Sequence, residues 1–138
     1  MDSQLVDPYE LRLRKALNKV LPDAYDSLKI LDQIPSEIGM NLLAVLVNYA
    51  CESQNITIIT LARDSIKKIP LKWLTQYYPE VVNRSIDWED EWQYIRLLEV
   101  TREVAPELLK VFIDRGLFSE NDEIHEAAEY FRSKQNGS

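Results

Sequence analysis

The sequence predicts an all-α fold: about seven to eight helices, packed as stacked antiparallel helical hairpins in one domain covering residues 1–138. Three observations carry this expectation. Apolar residues recur at steps of three and four along most of the chain, the period of an amphipathic helix. Six prolines, together with well-placed Asp and Ser residues, punctuate these runs at short intervals. An apolar pattern also repeats as Ile58-Leu61-Ala62, Tyr94-Leu97-Leu98 and Ile124-Ala127-Ala128, its starts 36 and 30 residues apart. Such spacing suits helical hairpins that bury their apolar faces by stacking on one another.

Each element has its own signals. Asp7-Pro8 is an N-cap followed by proline at the first helical position, where the missing N–H costs nothing. Leu13, Ala16, Leu17 and Val20 continue the stripe until Pro22. A second helix is expected over 23–34, with Ala24, Leu28 and Leu31 inward, ended by Pro35. Ser36 then caps the third, 36–52, which is apolar nearly all round and is expected at the centre of the core. In 55–70, Ile59, Ala62, Ile66 and Ile69 keep helical steps, which outweigh the β-branched start. "LKWLTQYY" forms a short helix that Pro79 is expected to interrupt, with "PEVVNRSI" adding another turn or two. Asp87 should cap a helix running to about Val104. Pro106 opens the next, and Gly116 is placed to cap its end. The last helix starts near Glu120, and order is expected over about 5–134, with 135–138 a frayed polar tail.

"ENDEIHEAAEYF", 120–131, resembles the opening helix of a HEAT-type repeat, with its acidic start, aliphatic residue and paired alanines. The longer stretch from "DWEDEWQYIRLLEV" through "EYF" is similar to the C-terminal half of uncharacterised bacterial proteins. The resemblance covers about the last 80 residues. It implies a HEAT-like C-terminal half used for scaffolding and protein recognition, with no catalytic residues to carry over.

Composition narrows the function. The formal net charge is −7, and residues 87–138 hold 13 acidic against 6 basic side chains, enough to account for all of it. Nucleic acid is therefore not an expected partner, because phosphate binding needs a clustered positive surface. The longest apolar stretch, 38–51, is shorter than the roughly 20 residues of a membrane span, and the N-terminus shows no signal-peptide pattern. With one cysteine, Cys51, a cytoplasmic protein is expected.

No cofactor, metal or catalytic site is predicted. The three glycines are scattered, so no phosphate-binding loop exists. His125 has Asp122 and Glu129 at helical spacing but no second His or Cys to make a transition-metal site. Cys51 ends the most apolar helix, where a small buried side chain is the ordinary use. Arg63, Lys67, Lys68 and Lys72 form a basic run, read as a solvated face, as a docking patch for an acidic partner, or as facing the acids at 87–91 within the fold. "SIDWEDEW", 85–92, holds the remaining signal. Its acids suit a helix start, whereas its indoles fall at the edge of the core arc. Trp88, Trp92, Glu99 and Glu103 are the candidate partner-binding residues. The expected function is a non-catalytic protein-interaction module with an acidic C-terminal surface. The partner is another protein with a basic surface. A bacterial immunity or antitoxin protein covering a basic toxin is the alternative. An enzyme of unknown class is the weakest reading, and self-association through the helices remains open.

Overall fold

In a computed structural model, which describes residues 7–52 and 54–136, the chain is all-helical. The helices are α1 (Pro8–Asn18), α2 (Ser36–Glu52), α3 (Ile56–Lys67), α4 (Leu71–Ser85), α5 (Glu91–Val104), α6 (Leu109–Leu117) and α7 (Asp122–Asn136). Short 3-10 segments cover Ala24–Gln33 and Pro106–Leu108. The expected boundaries 5–6 and 137–138 lie outside the described residues. Residues 135–136, expected to fray, continue α7.

Local chemistry sets most of these ends. The Asp7 carboxylate accepts from the Tyr9 N–H at 2.8 Å, and Asn55 Oδ1 accepts from Ile58 N–H at 3.1 Å. Asn121 Oδ1 accepts from both Glu123 N–H and Ile124 N–H, at 2.9 and 3.2 Å. These bonds satisfy donors that a helix start leaves free. The segment after Pro22 winds more tightly than the α-helix expected there. Asp23 sits at φ 60°, in the left-handed region, and Ile30 leaves helical geometry at φ −116°. The chain still turns Ala24, Tyr25, Leu28 and Leu31 inward.

The expectation at Pro79 is corrected: α4 runs unbroken through it. Trp73, Leu74, Tyr78, Val81 and Val82 form one buried stripe spanning the proline. Burying that stripe outweighs the lost N–H bond of one turn. The close approach of α4 to α2 depends on Gly39, where a Cβ would lie 2.8 Å from the Trp73 ring.

α2 is the hub. It packs against α3, α4 and α5, and Leu42, Leu43, Leu46, Val47 and Ala50 are fully buried. α4 docks on α2 rather than folding back along α3, while α6 and α7 do pack closely together. Beside the hub, α3, α5 and α7 lie in a row. Arg63 on α3 meets Glu99 on α5, 36 positions on, and Lys67 meets Glu103 at the same step. The two helices therefore run parallel. Glu91 reaches Glu123 and Arg102 covers the Phe131 ring, so α5 and α7 run parallel too. The spacing of the apolar pattern in the sequence reappears as the lateral register of these helices.

Gly116 is also corrected. It caps nothing: it lies buried inside α6, and no glycine among the described residues has positive φ. A Cβ there would fall 2.0 Å from Tyr94 Oη and 2.8 Å from Ala128 Cβ. The position is bare because three helices meet at it. Tyr94 Oη donates to the Phe112 carbonyl at 2.8 Å, which holds α5 against α6.

Candidate interaction surface

The stretch 85–92 folds as a two-step cap rather than as the first turn of a helix capped by Asp87. Asp87 Oδ1 accepts from Glu89 N–H at 3.0 Å and closes a turn. Asp90 is the N-cap of α5 and accepts from Gln93 N–H at 3.0 Å. The Gln93 side chain returns to accept from Asp87 N–H at 2.8 Å, a reciprocal arrangement like a capping box. Two Asp residues three positions apart each suit a cap, and the helical pattern does not say which one is selected.

This cap separates the two indoles. Trp88 lies in the turn, half-buried against Tyr94 and Phe112 at centroid distances of 6.2 and 6.1 Å. Its outer face is covered by the Arg115 guanidinium, 3.7 Å from the ring centroid. Arg115 is held in turn by Asn83 Oδ1 at 2.8 Å. Trp88 is thus a packing residue under a cation. Trp92 is different: 68% of it is exposed, and the Arg96 guanidinium lies 6.0 Å from its ring centroid. It borders a shallow groove of about 400 Å³ between the end of α2 and the start of α5, shared with Glu52, Asp90 and Arg96. By the register of the row, the exposed Ile56 at the start of α3 stands at the position matching Trp92.

Glu99 and Glu103 are not free acids beside the indoles. Arg63 donates to Glu99 at 2.8 Å and lies 3.8 Å from Glu103. Lys67 reaches Glu103 at 2.9 Å, and Arg96 reaches Glu99 at 3.1 Å. Part of the basic run therefore does face acids within the fold, but on the body of α5 rather than at 87–91. Half-burial strengthens the two contacts to Glu99 relative to open-surface pairs.

The acids left uncompensated are elsewhere. Glu91, Glu123 and Glu126 border a groove of about 460 Å³ between α5 and α7. Among the described residues none of the three has an ion-pair partner. Partial desolvation, and then the neighbouring Glu123, push the Glu91 carboxyl above the ordinary range, with Glu126 adding to the effect. Sequence reading missed this trio because it joins two helices about 32 positions apart. The one available signal was the repeat spacing, which lays the acidic start of α7 beside that of α5.

The other polar candidates resolve simply. His125 Nδ1 lies 3.0 Å from the Leu117 carbonyl, and its Nε2 lies 3.2 Å from Glu129. Among the described residues no cluster of His, Cys, Asp and Glu suits a metal ion. Burial pushes the Cys51 thiol up to about 12, so it is protonated at neutral pH. No described helix is long and apolar enough to cross a membrane. No family model matches the chain, and no solved structure matches it.

Proposed function

We propose that this protein is a non-catalytic protein-interaction module, and that its contact surface is the start of α5. Trp92 is the apolar anchor, and Glu52 and Asp90 supply a negative border for a basic partner. The observation that carries this reading is the exposure of Trp92, 68%, on a chain whose other two indoles are packed. A large rigid indole in water, bordered by Glu52, Asp90 and Arg96, is the composition of a binding hot spot. The row of parallel helices supports a short HEAT-like array, which presents one edge of successive helices to a partner. One buried cysteine supports a reducing, cytoplasmic setting.

Affinity capture from the native host at low salt, with the unaltered chain and Trp92→Ala side by side, tests this. The unaltered chain should retain a basic protein that the variant loses, while both keep the same far-UV circular dichroism. Capture of the same proteins by both, or of none by either, overturns the proposal.

A further inference from the structure

The groove between α5 and α7 has an order of charge that the Trp92 surface does not use. At one end stand Glu91 on α5 and Glu123 and Glu126 on α7. At the other stand Arg102 on α5 and Lys134 on α7. Both helices run the same way, and on each the acid and the base are 11 positions apart (91 to 102, 123 to 134). Eleven residues are three turns, so each acid and base share a face, roughly 16 Å apart. Between them Ile95 and Ala127 are half-buried, Tyr130 stands 57% exposed, and the one further acid lining the groove, Glu99, is already paired with Arg63 and Arg96.

A surface of this kind is complementary to itself. Rotation of a second copy by 180° about an axis in the surface and across the helices reverses the helix direction and keeps α5 facing α5 and α7 facing α7. The acids of each copy then lie over the bases of the other, and the two Tyr130 rings meet near the axis. Rotation about an axis along the helices would instead set acid on acid, which is repulsive. Helix dipoles favour the same choice, because antiparallel helices set opposite partial charges beside each other. Among the described residues Glu91, Glu123 and Glu126 have no ion-pair partner, so the acidic end lacks a cation of its own.

We propose that the α5–α7 face is a homodimer interface, in which a second copy packs antiparallel about a two-fold axis near Tyr130. The contact is isologous, with Glu123 and Glu126 paired to the partner copy's basic end and Arg102 paired to its acidic end. Its small apolar centre makes the dimer sensitive to salt. This inference is independent of the Trp92 reading, since that indole lies on the α2 side of α5.

The test is the solution mass of the full chain by sedimentation equilibrium, from micromolar to near-millimolar concentration, in low and high salt. A dimer at low salt that dissociates as salt rises is expected. Glu123→Lys and Lys134→Glu, each alone, should weaken it by about tenfold or more, and the double variant should recover most of the loss. Circular dichroism of each variant separates loss of pairing from loss of folding. A monomer at every concentration in low salt overturns the proposal, as does a dimer whose mass the single swaps leave unchanged. If a swapped chain does not fold, Tyr130→Ala in its place should also shift the chain toward monomer, and an unshifted dimer then overturns the proposal.

Discussion

The seam between α3 and α5 and the seam between α5 and α7 are built from the same kind of parallel helices but treat charge in opposite ways. In the first, Arg63 and Lys67 meet Glu99 and Glu103 across the seam, so the acids are neutralised by the fold. In the second, Glu91 meets Glu123 and Glu126, and like charges face each other. Helix N-termini soften that repulsion, because Glu91 and Glu123 sit in first turns where the macrodipole favours them, but it is not removed. Net charge read from sequence treats all these carboxylates alike. Their placement pairs the acids of the first seam with cations across it, whereas Glu91, Glu123 and Glu126 have no ion-pair partner among the described residues.

The strongest way to break the comparison is to remove what holds the second seam together despite its charges. Gly116→Ala would drive a methyl group into Tyr94 and Ala128. Overpacking at a three-helix junction, with strain on the Tyr94 hydrogen bond, should cost about 3 kcal/mol. A fall in Tm of about 10 °C should appear in thermal unfolding. An unchanged Tm would mean that the junction is not tightly packed.

Next in size is the first seam. Arg63 is 19% exposed and holds both Glu99 and Glu103. Arg63→Met leaves those two acids one turn apart with less compensation, and should cost about 1–2 kcal/mol. Denaturant unfolding would read this as a lower midpoint with the slope preserved.

The smallest effect sharpens the contrast through pH. The Glu91 carboxyl is raised in the folded chain. A raised carboxyl contributes stability that is complete below its unfolded value of about 4.3 and is lost as pH rises through the folded value. Ionised Glu91 is therefore a penalty at neutral pH. Glu91→Gln should raise Tm slightly at pH 7 and lose that advantage below about pH 4. A variant that is less stable than the parent at pH 7 would contradict the assignment.

The legibility of the fold followed the range of the interactions involved. Helical steps and caps are local, so α1, α2 and α3 stand close to where the sequence placed them. The two-step cap at Asp87 and Asp90, the unbroken α4 at Pro79 and the buried Gly116 were misread for one reason. Each is decided by a contact beyond the helical step: Gln93 reaching six residues back to Asp87, α4 burying its stripe on α2, and Tyr94 and Ala128 closing on α6. The candidate site divided along the same line. The contrast between Trp88 and Trp92 depends on Arg115 and Phe112 arriving from α6, and the occupation of Glu99 and Glu103 depends on α3. The basic run and the acids were each visible, but only the register of the parallel helices says which acid meets which base.

The central claim is that the two seams use their carboxylates in opposite senses, and one measurement tests it directly. Thermal unfolding at pH 7 and low salt is compared for Glu99→Gln/Glu103→Gln and for Glu91→Gln/Glu123→Gln, with protein dilute enough to be monomeric. The account predicts that the first double variant melts below the parent and the second melts at or above it, with both differences shrinking in high salt. Two variants that shift Tm in the same direction would contradict it.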